Sequence, residues 1–199
     1  VENAIERKFT EGEIIVQQED IWPYLFVVTQ GEINATKESP EGRILIVTTL
    51  SQGDIFFGLA FFVDGAYMPM VLQANTSATI HLWSREFLSP IIKQNGELSW
   101  RLCMIMIKRM QLASDVVDDL AFQPVTGRLS NLLLDVFGDA EDDFQPRILT
   151  LDDMAARIGT TREVVCRHLH RFVRSGAIEM SRTELKIADR QLLENQAGR

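Results

Sequence analysis

The sequence predicts an α+β fold in three parts: a strand-rich N-terminal region, one long central helix, and a C-terminal helix-turn-helix followed by a two-stranded wing. Three observations predict it. Turn glycines punctuate short β-prone runs through the first half. Residues 97–121 hold neither glycine nor proline and carry apolar side chains at helical spacing. Residues 150–188 read as two short capped helices around one glycine, then two short strands. The expected domains are 1–96, 97–121 and 122–199.

In the first region, glycines sit in Glu11-Gly12-Glu13, Gln30-Gly31-Glu32, Glu41-Gly42-Arg43, Gln52-Gly53-Asp54 and Asp64-Gly65-Ala66. From Gly31 these turn signals recur every 11 or 12 residues. Between them lie runs such as Leu25-Phe26-Val27-Val28 and Ile44-Leu45-Ile46-Val47-Thr48-Thr49. Short strands at this spacing make a small sandwich or barrel. A further strand, from about Met70 to Trp83, closes the region.

The central segment carries Leu102, Ile105, Arg109, Leu112 and Val116 at spacings of 3, 4, 3 and 4, a heptad seam interrupted by one arginine. A second set, Cys103, Met106, Met110 and Val117, repeats on a neighbouring face. A helix apolar on two faces needs two partners. Its own domain and the same helix of a second copy satisfy this as a two-fold dimer. A central helix fully buried in a monomer is the alternative. Pro124 ends this helix. A shorter one follows, with Val125, Leu129, Leu132, Leu133 and Val136 on its apolar side. Gly138 and the acidic run 139–143 end it in a solvated loop.

Thr150 caps a helix through Leu151–Ile158, with Asp152 and Asp153 in the first turn, where the helix dipole favours anions. Gly159 supplies the turn. Thr160 or Thr161 caps a second helix, Arg162–Ser175, which stops at Gly176. Ile178-Glu179-Met180 and Leu185-Lys186-Ile187 then form a wing around Ser181-Arg182-Thr183. The second helix carries Arg162, Glu163, Cys166 and Arg167 in its first turns, the part that enters a major groove in such units. Arginine donates bidentately to guanine, and glutamate accepts from cytosine. Thr160 and Thr161, beside free backbone N–H groups, suit a phosphate. Val164, Val165, Leu169, Phe172 and Val173 are expected to face inward. Two readings stay open at some positions. Thr160-x-x-Glu163 also fits a capping box that would close Glu163 on the helix start. Arg171 and Arg174 suit either phosphate contact or a solvated face.

Charge distribution supports this division. The chain of 199 residues has a formal net charge of −8. Residues 147–199 hold ten Lys/Arg against seven Asp/Glu, a net of +3, which leaves −11 for residues 1–146. An acidic body with a basic tail is compatible with DNA binding, because attraction acts within about 8–10 Å of the contacting face. Hydrophobic residues make up 46%, enough for a packed core. No apolar run reaches the roughly 18–20 residues of a membrane span, and no secretory signal pattern opens the chain, which begins Val1-Glu2-Asn3. The two cysteines, Cys103 and Cys166, have no zinc or iron–sulfur spacing. A cytoplasmic setting and no membrane partner are expected. No metal-ligand cluster, Ser-His-Asp arrangement or phosphate loop points to an enzyme.

Leu120-Ala121-Phe122, Val125-Thr126-Gly127-Arg128-Leu129 and Gly159-Thr160-Thr161-Arg162-Glu163-Val164-Val165-Cys166-Arg167 together resemble the Crp/Fnr regulators, named for the cyclic-AMP receptor protein and the fumarate–nitrate reduction regulator. The resemblance spans nearly the whole chain. It implies a cyclic-nucleotide-binding-like β-roll (a double-stranded β-helix), a dimerisation helix and a winged helix-turn-helix on a near-palindromic DNA site, with RNA polymerase as a further partner. On this reading Thr160, Thr161, Arg162, Glu163, Cys166, Arg167 and Arg171 contact DNA, and Leu102, Ile105, Arg109, Leu112 and Val116 form the dimer seam.

The sensor region departs from the family pattern. Cyclic-nucleotide binders of this kind carry a glycine–glutamate pair and a later arginine. Here Gly58 is followed by Leu59, Met68-Pro69 stands at the arginine position, and no arginine lies between Arg43 and Arg85. A buried phosphate without a cation costs several kcal/mol, on the order of a lost ion pair. The residues therefore argue against cyclic AMP. Phe57, Gly58, Met68, Met70 and Arg109 are the expected effector pocket, in a region also rich in Phe56, Phe61 and Phe62. An ordinary core is the alternative. The effector is open: an apolar small molecule, a redox signal such as oxidation of Cys166, or haem, for which His81, Cys103 and the methionines are candidate axial ligands. A DNA-binding protein that needs no effector also fits.

Overall fold

The computed structural model describes residues 3–138 and 143–197. Of the acidic run expected as a loop, 139–142 lie outside the described residues. The chain divides into two compact units, Val1–Glu38 with Ile46–Ala113, and Ser39–Leu45 with Ser114–Arg199.

The first unit is a sandwich. Its strands are β1 (Ile5–Phe9), β2 (Ile14–Val16), β3 (Tyr24–Gln30), β4 (Ile33–Glu38), β5 (Ile44–Leu50), β6 (Ile55–Phe57), β7 (Val71–Ala74) and β8 (Ala78–Ser84). One sheet has the order β1-β8-β3-β6, the other β2-β7-β4-β5. Phe26, Val28, Ile33, Ala35, Leu72 and Ile80 fill the space between and expose nothing to solvent. β8 shows the two-residue period of a sheet: Ala78, Ile80 and Leu82 are buried, whereas Thr79, His81 and Trp83 face the other way and are half-buried. Leu25, whose Cα partners are Trp83 and Phe57 across the sheet, joins Phe61, Ile92 and Leu102 in a second cluster. Apolar groups thus cover both faces of β3, which explains its unbroken apolar run over residues 25–28.

The strand expected from Met70 to Trp83 is two strands that belong to different sheets. The polar triplet Asn75-Thr76-Ser77 divides them, held by Asn75 Nδ2 donating to Glu32 (2.9 Å) and Asn34 Nδ2 donating to Asn75 Oδ1 (2.9 Å). Gly31 turns against this triplet at φ 76°, where a Cβ would stand 2.2 Å from the Ser77 carbonyl oxygen. Only glycine fits there.

Helix α1 (Arg85–Gln94) carries Pro90 in its interior, which hides it from a reading based on breakers. Ser84 caps it by accepting from the Phe87 N–H at 3.4 Å. Helix α2 runs Gly96–Phe122. No helix among the described residues is long and apolar enough to cross a membrane.

The second unit holds α3 (Val125–Phe137), β9 (Gln145–Pro146), α4 (Leu151–Ile158), α5 (Arg162–Ser175), β10 (Ile178–Met180), β11 (Glu184–Ile187) and α6 (Arg190–Ala197). Its core joins Leu129, Leu133 and Phe137 of α3 to Met154, Val165, Leu169, Ile178, Leu185 and Leu193. The buried face of α3 also takes in Ser130 and Leu134, so Val125, Leu132 and Val136 lie at its half-buried margin. The expected wing is present, with Glu179 opposite Lys186 and Met180 opposite Leu185, and β9 adds a third strand through Leu185 and Gln145.

Candidate functional site

Two regions carry the chemistry. The first is the surface of α5. Thr150 and Asp153 close a capping box on α4, and Gly159 turns the chain at φ 63°. A Cβ on Gly159 would stand 2.5 Å from Leu120 Cδ2, so the turn packs directly on the end of α2. Thr161 is the N-cap of α5 by backbone geometry, but its side chain accepts no capping bond. The capping box read into Thr160-x-x-Glu163 is therefore absent. The box belongs to α4, and Glu163 is exposed. The Glu163 carboxyl is held below its ordinary pKa, first by its own backbone N–H and then by the Thr161 hydroxyl.

Val165, Leu169 and Phe172 are the buried stripe of α5. At about 3.6 residues per turn, Glu163, Arg167, His170 and Arg174 fall on one line on the opposite side, and all four are exposed. Cys166 and Arg171 flank that line, half-buried and exposed respectively. Val164 is half-buried and Val173 is 38% exposed. Neither pins the helix as expected, because spacings of 4 and 3 from Val165 select Leu169 and Phe172 instead. Arg162 pairs with Asp152 of α4 at 2.8 Å, on the surface. Thr160 and Thr161 are half-buried beside the helix start.

Below this face, Thr126 Oγ1 lies 3.1 Å from Nδ1 of His168. Burial, then Arg167 and Arg171, lowers the pKa of His168. Arg128, to which the sequence pattern assigns no role, donates to three carbonyl oxygens: Gln123 at 2.6 Å, Ile158 at 2.9 Å and Asp119 at 3.2 Å. It caps the C-terminal ends of α2 and α4 with one guanidinium. Its pKa is lowered by burial, with Asp119 opposing.

The second region is a cavity of about 510 Å³ within the first unit. β5, residues 53–56, Met70 and one side of α2 between Ile105 and Ala113 line it. Of the five expected pocket residues, Met70 and Arg109 line it. Phe57 turns away on β6, edge-on to Phe62 at 5.1 Å. Met68 is buried in the sandwich core. Gly58 abuts Trp22, whose carbonyl oxygen would be 2.0 Å from an added Cβ. The Arg109 guanidinium sits 5.4 Å above the Phe56 ring and donates to the Ile55 carbonyl. Burial lowers its pKa and Asp54 opposes this. Lys108 and Asp54, both missed from the sequence, complete the charged lining. The adjacent Lys108-Arg109 pair on an apolar helix was the signal available.

Of the residues read as axial ligands for haem, Met70 lines the cavity. His81 lies on the face of β8 turned away from the sandwich core and is hydrogen-bonded to Glu6 at 3.2 Å. Cys103 is exposed, and the cavity lining offers neither histidine nor cysteine.

The expected seam on α2 divides. Leu102 is 5% exposed and packs with Leu25, Phe61 and Ile92, and Ile105 packs against the same cluster. Arg109 and Leu112 line the cavity, and Val116 is half-buried. The first unit covers Leu102 and Ile105 of this face, whereas Leu112 is 58% exposed. The neighbouring set is bare along its length: Met106 is 44% exposed, Met110 69% and Val117 63%, with Cys103 also exposed.

The profile of the cyclic nucleotide-binding domain matches residues 6–95, and that of the Crp-like helix-turn-helix domain matches residues 127–196. The cAMP-activated global transcriptional regulator CRP of Salmonella typhimurium is 27% identical over 167 residues, covering 81% of this chain and 79% of that protein. A CRP-like cAMP-activated global transcriptional regulator of Mycobacterium tuberculosis is 26% identical over 196 residues, covering 95% and 86%. In fold, the solved structure of a CRP/FNR-family transcriptional regulator from Thermus thermophilus superposes with a TM-score of 0.76 at 19% identity, covering 98% of this chain and 99% of that one. With a nucleotide-binding-type sandwich, a Crp-like helix-turn-helix and these relatives, the chain belongs to the Crp/Fnr family of DNA-binding transcription regulators.

Proposed function

We propose that this regulator works in the cytoplasm as a homodimer, reads a near-palindromic DNA site with two copies of α5, and answers to an effector other than cyclic AMP. The observation that carries the DNA reading is the exposed line of Glu163, Arg167, His170 and Arg174 opposite the buried stripe of Val165, Leu169 and Phe172. Arg167 and Glu163 read bases. Arg162 joins them when it leaves Asp152, an exposed pair worth at most about 1 kcal/mol. Thr160, Thr161, Arg171 and Arg174 position the phosphate backbone, and Cys166 stands at the margin of the groove. The bare stripe of Cys103, Met106, Met110 and Val117 on α2 meets its two-fold copy. Contact with RNA polymerase follows from the family and belongs to the same proposal.

The reading against cyclic AMP rests on the two positions where the nucleotide needs charges. Leu59 is apolar and 45% exposed, and Met68 is apolar and 1% exposed. The relatives named for cyclic AMP share 26–29% identity with this chain over the residues matched. Calorimetric titration of the full chain with cyclic AMP tests the reading. No saturable heat at micromolar concentration is expected, and a micromolar dissociation constant contradicts it. Titrating operator affinity against candidate effectors separates this reading from an effector-independent DNA binder.

A further inference from the structure

We propose that the sensor cavity binds a small carboxylate with an apolar body, its charge held by Arg109 with Lys108 beside it. The inference rests on the reading above, that this unit answers to something other than cyclic AMP.

The charge of the ligand follows from the lining. Lys108 and Arg109 face one carboxylate, Asp54, so the wall carries a net charge of +1. Among the described residues no carboxylate lies within ion-pairing distance of Arg109. Its guanidinium donates to one backbone carbonyl and rests on Phe56, with Asp54 acting only through space. A half-buried guanidinium without an ion-pair partner is costly, and a bound anion relieves that cost. The planar fork of arginine matches the two oxygens of a carboxylate.

The body of the ligand follows from the remaining wall. Leu50, Ile55, Phe56, Met70, Ile105 and Leu112 are apolar. The neutral polar side chains are Thr48 and Thr49, and the Thr49 hydroxyl is already donated to Asn34 Oδ1 at 2.8 Å. A sugar or a polar base would leave donors and acceptors unpaired here, whereas an aryl or acyl body would not. The volume of about 510 Å³ is that of a pocket for a small molecule.

The test is calorimetry on the full chain with phenylacetate and octanoate, their neutral amides, and cyclic AMP. Phenylacetate distinguishes an aryl body, octanoate a flexible acyl one. At least one acid is expected to saturate at one per chain. Its amide should bind about tenfold to a hundredfold more weakly, the range of a charged hydrogen bond. Arg109→Met should abolish the acid–amide difference and Arg109→Lys should restore part of it. Thermal melts report whether these variants fold, and if they do not, the acid–amide comparison in the wild type decides. An amide as tight as its acid overturns the inference, and so does failure of both acids to saturate at millimolar concentration. Either result leaves the reading against cyclic AMP standing. Micromolar binding of cyclic AMP removes that reading as well.

Discussion

Arg109 in the first unit and Arg167 in the DNA-binding unit both sit on helices, yet their surroundings differ in kind. The first lies half-buried over an aromatic ring beside a cavity. The second stands in solvent on a line of polar side chains. A desolvated guanidinium selects one ligand of matching shape and charge. An exposed one adds to a salt-screened field that a polyanion feels along its length. The contrast teaches that burial, more than residue type, decides which partner an arginine serves.

The largest expected effect comes from removing the second copy. Met106→Glu with Met110→Glu should give monomers by sedimentation and weaken operator binding by about 10²–10⁴-fold, the avidity of a second half-site. Leu102→Glu should instead unfold the sensor, because Leu102 is buried in its own unit. If both changes leave a folded dimer, the division of α2 into two faces is wrong.

How legible the molecule was depends on whether neighbours along the chain or across it set each feature. The Thr150 cap, the turn at Gly159 and the bounds of helix α5 were readable to the residue, because they are built from local hydrogen bonds and one left-handed glycine, whereas the α5 cap was left between Thr160 and Thr161. The seam on α2 was readable as a pattern. Which of its two apolar faces the sandwich covers depends on Leu25, Phe61 and Ile92, far away in sequence. For the same reason the pocket was half missed. Phe56 and Phe57 are adjacent, but sheet alternation sends one to the cavity and the other away from it. Helices α1 and α6 gave weak signals, one interrupted by Pro90 and the other a short polar stretch.

Arg128→Ala should lower stability by about 1–3 kcal/mol, since three carbonyls lose a charged donor. Thermal melting checks this, and an unchanged melting temperature would show that water replaces the side chain without loss.

A smaller effect separates the units by pH. The pKa of His168 is lowered in the folded chain by burial and by Arg167 and Arg171. The unfolded chain therefore takes up the proton first as pH falls below the ordinary histidine value of about 6.5. The contribution of this group to stability is complete above that value and declines as pH falls toward the folded pKa. His168→Gln should flatten the urea midpoint against pH between about 7 and 5, and an unchanged slope would assign that dependence to other groups.

The central claim is that the exposed line of α5 reads bases in a two-fold dimer. Selection from random DNA, run in parallel with wild type and Arg167→Ala, tests it most directly. The wild type should recover a near-palindrome with half-sites about one turn, roughly 34–36 Å, apart and G·C pairs at the contacted steps. Arg167→Ala should cost about 1–3 kcal/mol per half-site and relax one base pair in each. A recovered motif without two-fold symmetry, or one that Arg167→Ala leaves unchanged, would contradict the account.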